Sequence, residues 1–312
     1  MKNIFITGVS GYLGGRIAQA LSENENVSSI VGIDIQPPKK NISKLTFFKK
    51  DVRDPISDLL KDHHIDTVIH AAYVLTPIHD RSLMEDMNIS GMKNVLKACA
   101  ENKISHLLYT SSATAYGFHP DNPVPLNETH PLRGNDDFTY AKNKKEIEAI
   151  IGEFTKAHPE IKISVLRPCF VVGPHFDNPL SRHLTRRWVL FPSPVAPFQF
   201  VHEDDLVRAV LLCLEKTITG VFNIAGEGTV SLPEAVDMLG GTSFQIPYWI
   251  MSPLTKIAWG LHLKFIAESP ASGLNMLRYP WIVTTNRFTE EAGFEYQYSS
   301  RTAFEDFVRS VK

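Results

Sequence analysis

The chain has 312 residues, with 32 basic and 34 acidic side chains and a formal charge of −2. Hydrophobic residues make up 43% and charged residues 21%, which is ordinary globular usage and excludes a disordered chain or a basic nucleic-acid binder. At roughly 100–200 residues per domain, the length allows one large domain or two modest ones.

Short apolar runs occupy residues 3–7, 29–34, 45–48, 67–70, 106–110 and 162–167. Helical patterns separate most of them, over 13–21, 56–61, 88–101 and 140–158. Strands alternating with helices imply a parallel sheet covered on both faces. Runs that are apolar throughout are what doubly covered strands look like. From 168 to 197 the chain is rich in proline and the pattern loosens. Residues 198–215 read as a short strand and a helix, and 221–225 as another strand. Residues 1–167 plus about 198–226 are therefore expected to form a nucleotide-binding domain. Residues from about 168 to 197, together with 227–312, are expected to form a smaller substrate-binding domain interleaved with it.

Residues 246–266 are the only stretch that suggests a membrane, and Pro247, Pro253, Lys256, His262 and Lys264 interrupt it. A spanning helix needs about 20 largely apolar residues, so no stable insertion is expected. A buried or lid-like amphipathic helix is the favoured reading, ahead of interfacial membrane contact. Tyr248, Trp249, Trp259, Phe265, Tyr279 and Trp281 are expected as core of the smaller domain, since large aromatics dominate cores. The three cysteines, Cys99, Cys169 and Cys213, are far apart and form no CxxC pair. No disulfide framework and no metal site are expected, and a reducing, cytoplasmic setting fits. His63-His64, flanked by charged residues, reads as a solvated helix end.

Thr7-Gly8-Val-Ser-Gly11-Tyr-Leu-Gly14 places glycines at three-residue intervals after a strand and at the opening of a helix. Gly8 permits a sharp turn, Gly11 lets backbone approach a pyrophosphate, and Gly14 lets helix and strand pack closely. The helix N-terminus offers free N–H groups to the anion. Asp34, 20 residues after Gly14 at the end of the second strand, is placed to accept both adenosine ribose hydroxyls and to repel a 2′-phosphate. This favours NAD over NADP. The expected fold is α/β, a Rossmann-type doubly wound parallel sheet with the smaller C-terminal substrate domain.

Tyr140 and Lys144 are four apart in a helical segment and so share a face. A free phenol has a pKa near 10, and neighbouring positive charge favours the phenolate. A phenolate there can take the proton of a substrate hydroxyl as hydride leaves the same carbon. Lys144 is expected to depress the Tyr140 pKa and to hold the nicotinamide ribose. Ser111-Ser112 follows the fifth strand, where a hydroxyl can fix the substrate oxygen or merely cap the strand.

The chain resembles the extended short-chain dehydrogenase/reductases, the NAD-dependent epimerase/dehydratase group that includes UDP-glucose 4-epimerase-like proteins. The resemblance rests on TGVSGYLG (Thr7–Gly14), DVRD (Asp51–Asp54), HAAY (His70–Tyr73), NISGMKNVL (Asn88–Leu96), YTSSATAYG (Tyr109–Gly117), YAKNK (Tyr140–Lys144), LRPCFVVGP (Leu166–Pro174), FVHEDDLVRA (Phe200–Ala209) and FNIAGEGTVSL (Phe222–Leu232), in family order over about residues 1–235. It implies a catalytic trio of Ser112, Tyr140 and Lys144, with Ser112 chosen because the family's hydroxyl directly precedes the xxxYG segment. It also implies adenine contacts from Asp51 and Val52, a cofactor wall of Ala71, Ala72 and Tyr73, support from Asn88, and backbone after Pro168 meeting the nicotinamide amide. The implied cofactor-lining set is Gly8, Gly11, Tyr12, Leu13, Gly14, Asp34, Ile35, Asp51, Val52, Ala71, Ala72, Tyr73, Asn88, Thr110, Tyr140, Lys144, Pro168 and Phe170. By the same resemblance, two copies pair through the helices at 88–101 and 145–158 into a homodimer.

Two departures bear on the substrate. Nucleotide-sugar dehydratases carry an acid pair just after the catalytic hydroxyl; Ala113 and Thr114 stand there, which disfavours dehydration. UDP-sugar epimerases carry an asparagine near the position of Phe170 and a diphosphate-gripping arginine near that of Phe198. Their aromatic replacements point to a less anionic substrate or to other phosphate ligands, with Arg182, Arg186, Arg187 and Arg278 as candidates. Thr114, Arg182, Phe198 and Arg278 are thus the candidate contacts to a small-molecule substrate. The first functional reading is a (nucleotide-)sugar epimerase working through a transient ketone. The alternatives are an NAD(P)-dependent alcohol dehydrogenase or carbonyl reductase on a more apolar substrate, and a non-catalytic dinucleotide sensor.

Overall fold

A computed structural model describes all 312 residues. The chain opens β1 (Lys2–Thr7), α1 (Tyr12–Ser22), β2 (Val27–Asp34), β3 (Leu45–Lys49), α2 (Ser57–Asp62), β4 (Thr67–His70), α3 (Arg81–Glu85), α4 (Gly91–Glu101), β5 (His106–Thr110), α5 (Thr139–Ala157) and β6 (Lys162–Pro168). It continues with β7 (Phe170–Val172), α6 (Pro179–Leu184), β8 (Trp188–Ser193), β9 (Phe200–His202), α7 (Glu203–Lys216), β10 (Gly220–Ile224), α8 (Leu232–Met238), β11 (Thr242–Pro247), α9 (Tyr248–Gly260), α10 (Asn275–Arg278), α11 (Asn286–Ala292) and α12 (Ser300–Val311).

Seven strands form one parallel sheet in the order β10-β6-β5-β4-β1-β2-β3. This is the expected doubly wound fold. Strand order reverses between β1 and β4, and ligands of such sheets lie beyond the strand ends at that point. Side chains alternate across the sheet, which produces two cores from one run of residues. Ile4, Ile6, Ile69, Leu108 and Leu166 join α1 and α7 on one face. Phe5, Val68, Leu107, Tyr109 and Val165 join α4 and α5 on the other.

The remaining chain builds a smaller lobe from two parallel two-stranded ribbons, β7-β9 and β8-β11. Its core includes Val172, Phe191, Phe198, Phe200, Leu232, Phe304 and Phe307. The interleaving runs further than a cut at residue 227 implies, because α11 returns to the main body. There Phe288 packs 5.3 Å from Phe222 of β10, and Ala292 and Phe294 enter the first core.

Two expectations change. The helix anticipated over 88–101 begins at Gly91 and continues a rod that starts at Arg81, with a π-helical turn at Asp86–Ser90 between α3 and α4. A Cβ on Gly91 would come 2.7 Å from Val52 Cγ1, so glycine lets Val52 pack directly on the helix. The second change concerns residues 246–266 and their aromatics. Trp281 is buried, but Trp249 and Phe265 are exposed, and α9 buries only Ala258. α9 packs Tyr248 and Met251 against the lobe's core, while Trp249, Leu254 and Ile257 turn outward. No helix is long and apolar enough to cross a membrane.

Candidate active site

β1 ends at Thr7, whose hydroxyl meets His70 Nδ1 at 2.7 Å and accepts from the Ala72 N–H at 3.2 Å. This ties the glycine turn to the loop after β4. Gly8 has φ +72°, and a Cβ on it would come within 2.6 Å of Ala72 backbone. A Cβ on Gly14 would stand 2.1 Å from the Gly8 carbonyl oxygen. Gly11 is the N-cap of α1 and brings no side-chain cap, so the first N–H groups of the helix remain available to an anion. At the end of β2, the Asp34 carboxylate accepts from the Ser10 N–H at 3.1 Å and the Gln36 N–H at 3.2 Å. Those bonds aim it at the mouth of a cavity of about 290 Å³.

That cavity brings together Gly8, Gly11, Asp34, Ile35, Asp51, Val52, Ala71, Ala72, Tyr73 and Asn88. Ile33, Lys50, Val74 and Met87 also line it and were not foreseen; nothing in their residue types distinguishes them from ordinary core or surface. Asn88, inside the π-turn, accepts from the Val74 N–H at 2.8 Å and so shapes the wall. Tyr12 and Leu13 lie outside it. The Tyr12 hydroxyl donates to Glu203, while Leu13 packs on the sheet core. The uncapped helix end, the side-chain-free cradle and the oriented carboxylate fit a dinucleotide.

Replacing Gly14 by Ala tests this cradle. The added methyl must push the β1–α1 turn off Gly8, which we expect to cost about 1–3 kcal/mol and to weaken NAD binding in parallel. Thermal melts with and without NAD read both effects. A variant that melts and binds like the parent would contradict the geometry.

Tyr140 stands in the first turn of α5, and Ser112 precedes a single 3-10 turn over Ala113–Tyr116. The Ser112 hydroxyl accepts from the Thr114 N–H at 3.2 Å. Ser111 points elsewhere and donates to Glu148 at 2.5 Å, leaving Ser112 as the hydroxyl on the Tyr140 side. Thr114 Oγ1 is buried with no hydrogen-bond partner. Burial pushes the Tyr140 phenol up from its ordinary value, and the nearby Ser112 and Thr114 hydroxyls pull it back down.

The Lys144 ammonium is bonded to β5 and not to the Tyr140 phenol. It donates to the Thr110 carbonyl at 2.9 Å and to the Tyr109 hydroxyl at 3.0 Å, and lies 3.9 Å over the Tyr73 ring. Burial lowers its pKa to about 7, opposed by the Glu148 charge. The groups that lower the Tyr140 pKa are therefore the two hydroxyls. The Tyr73 hydroxyl donates to the Tyr140 carbonyl at 3.2 Å, so Tyr73 and Tyr109 box the lysine. The sequence reading placed Tyr73 beside the cofactor and gave Tyr109 no role.

A second cavity, of about 480 Å³, is lined by Tyr140. Pro77, Ile78, Met84, Phe138 and Trp259 give it an apolar wall, with His79, Arg81 and Lys256 at its edge. Of the candidate substrate contacts, Phe198 is 1% exposed and packs 4.9 Å from Phe170, inside an aromatic cluster with Trp281. It is a core residue, which corrects its placement as a substrate contact. Arg182 is exposed and ion-paired to Asp177 and Glu268. Arg278 is held 3.7 Å over the Tyr248 ring and 4.8 Å over the Tyr279 ring, and its buried Nε has no partner. Pro168 ends β6 and Phe170 begins β7. No group of three or more His, Cys, Asp or Glu is arranged to hold a metal.

Comparison with known proteins places the chain. The model of the NAD dependent epimerase/dehydratase family matches residues 4–225. An uncharacterised protein of Mycobacterium tuberculosis is 25% identical over 99% of this chain and 84% of its own length. Human short-chain dehydrogenase/reductase family 42E member 1 is 28% identical over 69% of this chain and 58% of its own. Among solved structures, the UDP-glucose 4-epimerase of Thermotoga maritima with UDP-glucose superposes with a TM-score of 0.79 at 20% identity, covering 99% of this chain and 98% of that one. The Bordetella bronchiseptica enzyme WbmH in complex with NAD+ gives 0.77 at 21% identity, covering 99% and 98%. The family model spans more than half of the chain, so the protein belongs to the NAD dependent epimerase/dehydratase family, extended short-chain dehydrogenase/reductases whose cofactor is NAD.

Proposed function

We propose that the protein is an NAD-dependent sugar epimerase acting on a nucleotide sugar through a transient ketone. One observation carries this: the half-buried Tyr140 phenol faces the Ser112 and Thr114 hydroxyls and lines the second cavity, while its ring packs edge-on against Tyr73, which lines the glycine-turn cavity. Bound NAD would supply the reversible hydride acceptor for the carbinol carbon. Tyr140 takes the hydroxyl proton and gives it back. Ser112 orients the same oxygen, and Thr114 Oγ1, otherwise unpartnered, holds a neighbouring hydroxyl. Lys144, boxed by two tyrosines, holds the nicotinamide ribose. Ala113 and Thr114 supply no acid, so loss of water is not part of the reaction. Arg278, stiffened between two rings with a free Nε, is the group that suits an anionic diphosphate; Arg182 already answers two carboxylates.

The second reading is an alcohol dehydrogenase or carbonyl reductase on a more apolar substrate. The apolar wall of the second cavity favours it. Purified protein separates the two. An epimerase retains NAD and interconverts nucleotide-sugar epimers, read by NMR, with none added. A dehydrogenase exchanges its cofactor and shows net absorbance change at 340 nm. Net redox turnover with no epimerisation across a nucleotide-sugar panel would refute the epimerase reading.

Pairing of two copies through α4 and α5 belongs to the same proposal. The outward positions Ala149 and Gly152 of α5 are small enough for a partner helix to approach. Free, buried Cys99, Cys169 and Cys213 suit a cytoplasmic setting.

A further inference from the structure

Sixteen large apolar side chains stand exposed, and nine of them fall between Trp188 and Ile266. Single exposed apolar residues are ordinary, but a cluster marks an interaction surface. On α9, at about 100° per residue, Trp249, Ile257, Leu261 and Leu254 occupy an arc of roughly 140°. Ala258, the buried residue of the helix, lies outside that arc. Phe265 and Ile266 extend the apolar run beyond the helix. β11 leads directly into α9, and its Phe244 pairs in register with Leu190 of β8, both exposed. Trp249 is 76% exposed and Phe265 71%. By contrast, neither α4 nor α5 carries a large exposed apolar side chain.

Charge selects the occupant. From Met238 to Ala267 the chain has no Asp or Glu, while Lys256 and Lys264 are both exposed. Exposed Arg187 lies over the Trp188 ring at 5.5 Å. Of the two acids that flank this stretch, Glu268 already answers Arg182 and Arg186, and Asp237 is exposed at the far end of α8. A second copy placed here would set lysine against lysine. A surface that is apolar beneath and anionic above matches both features, because aromatic side chains settle at the headgroup boundary and basic ones meet anionic headgroups. We propose that the protein docks peripherally on anionic lipid bilayers through α9 and the β8–β11 ribbon. Trp249 and Phe265 enter the headgroup–acyl boundary, and Lys256, Lys264 and Arg187 face the headgroups. Trp259, on the inner side of α9, walls the cavity that reaches Tyr140, so docking brings that cavity to the membrane surface.

The test uses the whole chain and reads no turnover, so its outcome is independent of the enzymatic reading. The protein is sedimented with vesicles of phosphatidylcholine alone and of phosphatidylcholine mixed with phosphatidylglycerol, at low and high salt. Binding is expected on the mixed vesicles, with salt weakening it and with a blue shift of tryptophan emission. The exposed pair Trp249→Ser/Phe265→Ser should reduce partitioning by about tenfold or more, and Lys264→Gln by about fivefold. Absence of wild-type binding to the mixed vesicles would overturn the proposal, as would undiminished binding of the double variant. So would a concentration-dependent dimer that the same double substitution dissolves, which would assign the face to a second copy.

Discussion

Tyr140→Phe should lower turnover by about 10²–10⁴-fold, with NAD binding close to that of the parent. The substitution removes one oxygen and leaves the ring, which packs edge-on against Tyr73 with centroids 5.2 Å apart. No cavity opens, so folding stability should change little. What disappears is the only phenol that faces both Ser112 and Thr114. The sign of the pH dependence follows from the same group. Burial raises the Tyr140 pKa and the two hydroxyls lower it, with burial prevailing. The phenol is then mostly protonated at neutral pH, and the phenolate fraction grows as pH rises. kcat/KM of the parent should therefore climb through the alkaline range, and the residual activity of Tyr140→Phe should lose that rise. Steady-state kinetics over pH with matched NAD titrations check both parts. A variant that kept full activity would remove the catalytic reading altogether and leave a dinucleotide-binding protein.

The sheet and the cofactor cleft were legible in the sequence because local chemistry dictates them. Gly8 and Gly14 are demanded by contacts that no side chain survives, and buried parallel strands show as unbroken apolar runs. The tyrosine–lysine pair was equally visible, since four-residue spacing on a helix sets a shared face. The orientation of Lys144 was not. It depends on Tyr73 and Tyr109, which approach from two different strand ends and share no spacing with it. The smaller lobe read worst. Trp281 and Trp249 are the same residue type in similar company, yet one is buried between Phe118 and Phe170 and the other faces outward. Composition announces that aromatics are present; only packing decides which side of a helix they cover. The exchange of Phe198 from substrate contact to core has the same origin. Its position was inferred from a relative's arginine, but its surroundings in this chain are Phe170, Phe200 and Trp281.

Glu148→Ala should destabilise the fold by about 3–5 kcal/mol, the range for stripping one partner from a buried ion pair. Glu148 is one turn beyond Lys144 on α5, and its carboxylate receives Arg167 of β6 through Nε at 3.0 Å and Nη2 at 2.6 Å. Both side chains are about 5% exposed. Arg167 also donates to the Tyr116 hydroxyl at 2.8 Å, and that hydroxyl donates to Asn223 of β10 at 3.0 Å. The carboxylate thus joins α5, two sheet strands and the turn after Ser112. Without it the guanidinium stays buried with a tyrosine oxygen as its remaining partner, and the Ser111 hydroxyl loses its acceptor. Urea unfolding measures the loss. The double variant Glu148→Leu/Arg167→Met should recover most of it, because removing both charges removes the desolvation cost along with the attraction. The site should feel the single change as well. Burial holds the Lys144 pKa near 7 and Glu148 is the charge that opposes that fall, so Glu148→Gln should drive the ammonium further toward the neutral form at pH 7. NAD affinity should then fall as pH rises through neutrality in the parent, and in Glu148→Gln the same fall should be displaced to lower pH. Loss of stability below about 1 kcal/mol in Glu148→Ala would mean that water reaches Arg167, and the pair could not be what holds α5 against β6.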